Sequence, residues 1–174
     1  MIIKNVTQVG NPIIRKISKK VTSINSPEVK KIIKDLIDSM RHSNLVGMAA
    51  PQIGYNLQIF VTEIRNTTLR KTNELDKLRV FINPKIISTS KSEISGYEGC
   101  GSVALSGIFG KVLRPSQITV IAIDENNQKF EHIAKGLLSR VIQHEIDHLN
   151  GIVFIDKVTD KKSLMSKEEY IKIK

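Results

Sequence analysis

The chain lacks several features that would assign it to a class of protein. Its 174 residues include one cysteine, Cys100, so an internal disulfide is excluded. It has no run of about 18 apolar residues, so we expect no membrane span. The first ten residues also lack the apolar stretch of an export signal. We therefore expect a cytoplasmic protein without membrane contact.

Aromatic residues are few, whereas positive charge is abundant. Three tyrosines and five phenylalanines are too scattered to form a stacking surface for nucleic-acid bases. The 27 lysines and arginines exceed the 17 acidic residues, which gives a formal net charge of +10. Such a charge attracts polyanions such as RNA. Because the basic residues are spread along the chain, we interpret them as a solvated surface, with ribosome contact as the alternative.

The length and the 40% hydrophobic content fit one domain, residues 1–174, with residues 158–174 as a charged tail. The oligomeric state is open, with a monomer as the expectation.

Two segments have the apolar spacing of helices. Ser26 and Pro27 mark the start of an amphipathic helix over residues 27–42. A second helix is predicted from about residue 137 to 149, with Gly151 placed to end it. Ser166 and Glu169 form a possible capping box for a short third helix.

Apolar and β-branched stretches predict short strands, and the polar residues 66–79 predict an exposed loop. Asn83 and Pro84 indicate an edge or a bend. The predicted strands are residues 57–64, 80–88, 117–124, 129–134 and 152–155. We expect an α+β fold, in which small mixed or antiparallel sheets pack around a central C-terminal helix, with an N-terminal amphipathic helix beside them.

Two histidines stand one turn apart in the second predicted helix. The residues from His144 to His148 read His-Glu-Ile-Asp-His, so both imidazoles face one side. This pattern is typical of a catalytic metal site, because zinc or iron there commonly has three protein ligands and one open position. A five-residue match also occurs by chance.

Cys100 is the best candidate for the third ligand, since the chain has only four histidines and one cysteine. It lies between Gly99 and Gly101, and glycines let the backbone approach a metal closely. The alternative is a buried cysteine packed as a small apolar residue, which is the usual state of a lone cysteine. The two flanking glycines disfavour that alternative.

Glu145 follows the first histidine, about 100° round the helix, so we expect it beside the metal rather than bound to it. A general base belongs there, since it can take a proton from the metal-activated water and later give it to a departing amine. The alternative is an ordinary carboxylate on the helix surface.

Three segments together resemble the signature motifs of the peptide deformylases, in the same order and at similar separations. They are Gly47 to Gln52, Glu98 to Ser102 and Gln143 to Gly151. The similarity extends through Gly10 to Pro12, the Asn83-Pro84 strand and Gly151 to Asp156, and so covers most of residues 1–157.

The resemblance implies a hydrolase that removes the formyl group from the initiator methionine of new peptides, so N-formyl-Met peptides are the expected partners. It implies one divalent metal, Fe²⁺ in the cell, with Zn²⁺, Ni²⁺ or Co²⁺ as alternatives in purified protein.

The resemblance also implies roles for individual residues. Cys100, His144 and His148 would hold the metal, and Glu145 would be the general base and acid. Gln52 and the backbone N–H of Gly101 would stabilise the oxyanion. The residues expected to contact the substrate, including its methionine side chain, are Val46, Gly47, Gly99, Leu137 and Val141.

Some residues depart from the family pattern. Leu45 replaces a usual glycine, and Gly101 replaces a common leucine. Ala104 stands where a proline is frequent, and the stretch 105–110 is longer than usual. An arginine that often contacts the peptide backbone has no clear counterpart. We expect metal binding to survive these changes better than ordinary peptide affinity.

Two other functions are alternatives to a deformylase. A peptidase of the HExxH class would need a third His or Glu ligand, but His132 lies too close before the helix, and Glu168 and Glu169 lie in the tail. A deformylase-like protein with reduced activity, acting as a basic ribosome-associated factor, is supported by Leu45. Retention of Gln52, Glu145 and the three ligands argues against it.

Overall fold

The computed structural model describes residues 3–68 and 71–174, which form three α-helices and eight β-strands. The helices are α1 (Pro27–His42), α2 (Gly136–Leu149) and α3 (Lys167–Lys172). The strands are β1 (Gly47–Ala49), β2 (Ile59–Ile64), β3 (Asp76–Thr89), β4 (Glu93–Gly99), β5 (Ile108–Pro115), β6 (Gln117–Ile123), β7 (Lys129–Lys135) and β8 (Met165–Ser166).

The strands form two antiparallel sheets. The larger sheet has the strand order β1-β2-β3-β6-β7, and the smaller has the order β4-β5-β8. The predicted α+β class is confirmed. Within the described part of the chain, no helix is both long enough and apolar enough to cross a bilayer.

The two long helices pack on opposite faces of the larger sheet. Successive strand residues point to opposite faces, so Ile59 and Val61 of β2 join the core beneath α1, whereas Phe60 joins the core beneath α2. Helix α2 also contacts β5 of the smaller sheet. It therefore lies between the two sheets, where strands from both can place side chains beside it.

The helix predictions are confirmed. Helix α1 has the predicted bounds, and the Ser26 hydroxyl accepts the N–H of Val29 at 3.2 Å as an N-cap. Helix α2 begins one residue before its predicted start, and Gly151 beyond its end has a φ of 72°, the left-handed conformation typical of a helix terminus. The Ser166 hydroxyl accepts the N–H of Glu169 at the start of α3.

Most strand predictions are confirmed to within two residues, but β3 is longer than expected. It begins at Asp76, inside the predicted loop 66–79, of which residues 69 and 70 lie outside the described residues. It is also not an edge strand, because it lies between β2 and β6. Asn83 marks a bend instead, with a φ of 51° where the pairing register shifts.

The predicted strand over residues 152–155 is wrong. Phe154–Lys157 is a 3-10 helix in which the Asp156 carboxylate accepts the N–H of Val153 at 2.9 Å, and the Phe154 side chain is buried in the core that contains Cys100. The charged tail is also ordered onto the fold, since β8 pairs with β5. Strands β1, β4, β5 and β8 were not predicted.

Two isoleucines of β6 test the assignment of the sheet faces. Ile118 is 1% exposed beneath α2, whereas Ile121 is 38% exposed on the outer face. Ile118→Ala should lower the free energy of unfolding by about 2–5 kcal/mol, because it leaves a cavity in the core. Ile121→Ala is the matched control and should cost less than about 1 kcal/mol in urea denaturation. Equal losses would contradict the assignment.

Candidate metal centre

The predicted metal ligands converge from two elements. Helix α2 places the rings of His144 and His148 with their centroids 5.0 Å apart, and Cys100 directly follows β4. One ligand atom from each of the three residues lies within 4.8 Å of the others. Across residues 3–68 and 71–174, no other three His, Cys, Asp or Glu side chains meet in this way.

The ring of His144 is oriented by a carboxylate. Its Nδ1 lies 3.0 Å from Oε2 of Glu98, which leaves Nε2 to face the other two ligands. A hydrogen bond of this kind fixes the tautomer and the direction of a metal-binding histidine. Glu98 was not assigned a role at the sequence level, although it is part of the second motif.

Glu98 lies in a buried network of charges. Arg114 donates to both of its oxygens at 2.7 and 2.8 Å, and Arg140 donates to Oε1 at 2.7 Å. Arg114 also donates to Asp147 at 2.7 Å. Burial acts to raise the pKa of Glu98, but the hydrogen bonds from Arg114 and His144 outweigh it and hold the pKa far below its usual range. Glu98 is therefore a carboxylate at neutral pH.

The thiol of Cys100 is poised to ionise. Its Sγ lies 3.1 Å from Nε2 of His148 and accepts the backbone N–H of Ser102 at 3.3 Å. Burial alone would raise its pKa, but the neighbouring His148 and His144 hold the pKa of Cys100 well below its ordinary value. The thiolate is the form of cysteine that binds metals.

These donors fit one transition-metal ion. A thiolate and two imidazoles suit zinc or iron, and three protein ligands leave a fourth position open. Beside them, Oε2 of Glu145 is buried without a hydrogen-bond partner among the described residues. A buried carboxylate oxygen without a partner is costly, so its presence here is consistent with a site built for an additional group.

Glu145 faces β1 and is 3% exposed. Burial raises the pKa of Glu145 to about 7, although the nearby histidines act in the opposite direction. A Cβ atom on Gly47 would overlap both the Glu145 carboxylate and the Val141 side chain. Gly47 therefore provides the space that the carboxylate occupies.

The amide of Gln52 is oriented toward the same centre. Its Oε1 accepts the N–H of Ala49 at 2.8 Å, so its NH₂ group faces Sγ of Cys100 at 3.5 Å and Oγ of Ser102 at 3.4 Å. The segment that contains Gly101 is held from the N-terminal side, since Gln8 donates to the Gly101 carbonyl at 2.8 Å.

Residues 3–164 match the family model for polypeptide deformylase. The chain is 36% identical over 163 residues to the peptide deformylase of Dictyoglomus turgidum. The aligned residues cover 94% of this chain and 97% of that one.

The chain belongs to the polypeptide deformylase family.

Solved deformylase structures agree. The Thermotoga maritima enzyme has a TM-score of 0.81 and 31% identity, and the match covers 92% of this chain and all of that one. The Met-Ala-Ser-bound class I type b enzyme of Acinetobacter baumannii has a TM-score of 0.84 and 28% identity, with 90% and 99% covered. The chain is therefore a deformylase-family hydrolase that removes the N-formyl group from nascent peptides.

The deformylase pocket brings together all five residues predicted to contact substrate. Val46 and Gly47 border it on one side, Gly99 on another, and Leu137 and Val141 come from α2. Leu45, whose side chain the sequence places at the mouth of the cleft, lines the pocket as well. Several further lining residues were not predicted, and they are Asn44, Thr67, Tyr97, Ser106, Phe109, Arg140 and Tyr170. For Arg140 a signal was available, because it lies one turn before His144 on the helix.

Two of the substitutions that depart from the deformylase pattern, Leu45 and Gly101, lie side by side in the pocket. A Cβ atom on Gly101 would lie 3.0 Å from Cδ1 of Leu45 and 3.3 Å from Cγ1 of Val6. Leu45 thus fills the space into which a side chain at position 101 would extend. In the loop between α1 and β1, Asn44 has the left-handed conformation, with a φ of 55°. Leu45 does not have a positive φ, so it avoids that strained conformation.

A double-mutant cycle tests this contact. Gly101→Leu should reduce both stability and turnover, because the new side chain competes with Leu45 for one space. Adding Leu45→Gly should recover part of the loss, with a coupling of about 0.5–3 kcal/mol in urea denaturation. Ile133→Ala on the outer face of β7 is the control and should combine additively with Gly101→Leu. Additive losses for the Leu45 pair would disprove the compensation.

Proposed function

We propose that Cys100, His144 and His148 hold the single divalent cation with which this chain releases formate from N-formyl-Met peptides, and that the cation in the cell is Fe²⁺. The observation that carries the proposal is a buried carboxylate, Glu145, beside a thiolate and two imidazoles that can share one ion. A soft sulfur ligand with two nitrogen ligands suits iron as well as zinc.

Glu145 is the general base and acid. When bound, the cation would polarise the formyl oxygen and lower the pKa of the attacking water. Glu145 accepts the proton of that water and later gives it to the departing amine nitrogen. A pKa raised by burial to about 7 supports both steps, because the side chain can then take and release a proton near neutral pH.

Gln52 and Gly101 stabilise the oxyanion. The contact between Oε1 of Gln52 and the Ala49 N–H fixes which end of the amide faces the site, so its NH₂ group is available as a donor. The backbone N–H of Gly101 is the second donor. Donors that are already oriented need no reorganisation when charge develops, and the loss of one typically costs about 10²- to 10³-fold in kcat.

The pocket favours a substrate in which a small acyl group is attached to an amino acid with a long apolar side chain. A formyl carbon bears only hydrogen, so it can enter a pocket in which Glu145 lies against Gly47 and Leu45 lies against Gly101. Val46, Leu137 and Val141 offer an apolar surface for the methionine side chain. The Met-Ala-Ser-bound structure of the Acinetobacter baumannii relative supports peptide binding by this chain. A monomeric state, cytoplasmic location and ribosome contact stay predictions.

Two substitutions separate metal binding from catalysis. Glu145→Ala should leave the metal content near that of the wild type and reduce formate release by about 10²-fold or more, because the proton acceptor is gone. Cys100→Ala should lose the metal together with activity. Metal analysis and a formate-release assay check both results, with exposed Glu131→Ala as the control. Loss of metal in both variants would contradict the role of Glu145.

The identity of the cation has its own test. Protein purified without oxygen should contain iron and lose activity in air, because a thiolate beside ferrous iron is readily oxidised. Protein reloaded with Zn²⁺, Ni²⁺ or Co²⁺ should keep its activity in air over the same period. Metal analysis paired with formate release at intervals measures this, and air-stable activity with iron bound would overturn the expectation.

A further inference from the structure

The C-terminal helix places an aromatic side chain in the wall of the substrate pocket. Tyr170 of α3 lines the same pocket as Cys100 and His144, although the match to the deformylase family ends at residue 164. This part of the wall therefore comes from a segment beyond the family match.

The position of α3 is fixed by the smaller sheet. Strand β8, directly before the helix, pairs with β5 through Phe109 and Met165. At the start of the helix, the N–H of Lys167 donates to the carbonyl of Gly107 at 2.9 Å. The Ser166 hydroxyl caps the helix. Tyr170 is thus held against β5 by backbone pairing as well as by its own ring.

Three aromatic rings form one cluster at this side of the pocket. Tyr170 stacks on Phe109, with ring centroids 4.1 Å apart and planes 9° apart. Tyr97 of β4 meets Tyr170 at 5.7 Å with its ring tilted by 57°. We call Tyr97, Phe109 and Tyr170 the aromatic wall. The separation between Tyr97 and Tyr170 and their tilt are those of a favourable aromatic pair, whereas Phe109 and Tyr170 form a closer, nearly parallel stack.

The aromatic wall adjoins the backbone that leads to the metal centre. Phe109 is buried, and its ring lies so close to Gly99 that a Cβ atom there would overlap it. Tyr97 and Tyr170 are only half-buried, so their rings face both the pocket and solvent. Leu137 lines the same pocket as these rings, so a peptide that extends from the metal centre can reach them.

We propose that Tyr170 is a specificity-determining residue, and that the aromatic wall binds apolar side chains of the peptide residues that follow formyl-methionine. The proposal rests on the proposed function, because it places the formyl group at Cys100, His144 and His148. Lys111 already covers the ring of Tyr97, with its Nζ 5.4 Å from the ring centroid. Tyr170 is therefore the better position to test.

The test compares two substrates of different length. Formyl-methionine methylamide ends before the aromatic wall, whereas formyl-Met-Leu-Phe amide extends along it. Tyr170→Ala should raise KM for the longer substrate roughly three- to tenfold with kcat unchanged, the size expected for losing one aromatic contact. KM for the methylamide should change less than about twofold. Tyr170→Phe should resemble the wild type.

Two further variants separate binding from folding. Tyr170→Leu keeps apolar packing on Phe109, so it should fold even where Tyr170→Ala does not, and it should show the same substrate-dependent rise in KM. Ile171→Ala, on the same helix and 50% exposed, is the control and should change neither substrate. An equal shift for both substrates, or no shift for either, would overturn the proposal.

A binding measurement keeps this inference distinct from the proposed function. Calorimetry should show that Tyr170→Leu weakens binding of the product Met-Leu-Phe amide by roughly three- to tenfold. The affinity for methionine methylamide should not change. Wild-type protein that hydrolyses neither formyl substrate would contradict the proposed function. The product affinities would still decide whether Tyr170 contacts the peptide, and equal affinities in wild type and variant would overturn that role.

Discussion

The buried carboxylate of Glu98 connects the smaller sheet, which leads to Cys100, with helix α2, which carries the two histidines. Glu98 lies two residues before Cys100, so the end of β4 positions both side chains. Arg114 of β5 and both Arg140 and His144 of α2 converge on its oxygens. Removing one partner from a buried charge pair typically costs about 3–5 kcal/mol. The packing of α2 against the smaller sheet therefore depends on Glu98. The distance from the sulfur of Cys100 to the imidazoles of His144 and His148 depends on that packing.

The parts of the structure that follow from the sequence are those with local signals. Helix α1 was predictable because its apolar residues recur at helical spacing behind the Ser26 cap. The grouping of His144 and His148 follows from one turn of helix. Cys100 could be added because the chain has no second cysteine, so scarcity limited the choice.

Other parts depend on contacts between residues far apart in the chain. Strand β4 contains two glycines and gives no alternating apolar pattern, yet it pairs with β5 along its whole length. The proximity of Leu45 to Gly101 cannot be read from the sequence, in which the two substitutions lie 56 residues apart. Tyr170 lies among charged residues, which concealed its place in the pocket. The sequence therefore predicted the ligands better than the surfaces around them.

The pairing of β8 with β5 has a consequence for the order in which the protein is made. Domains begin to fold during translation, starting from the N-terminal residues. The hairpin of β4 and β5, with Phe109 on its surface, must emerge from the ribosome before Tyr170 is available to cover that ring. An enzyme whose substrates are themselves nascent chains thus acquires the Tyr170 side of its pocket only after the hairpin that this residue covers has been made.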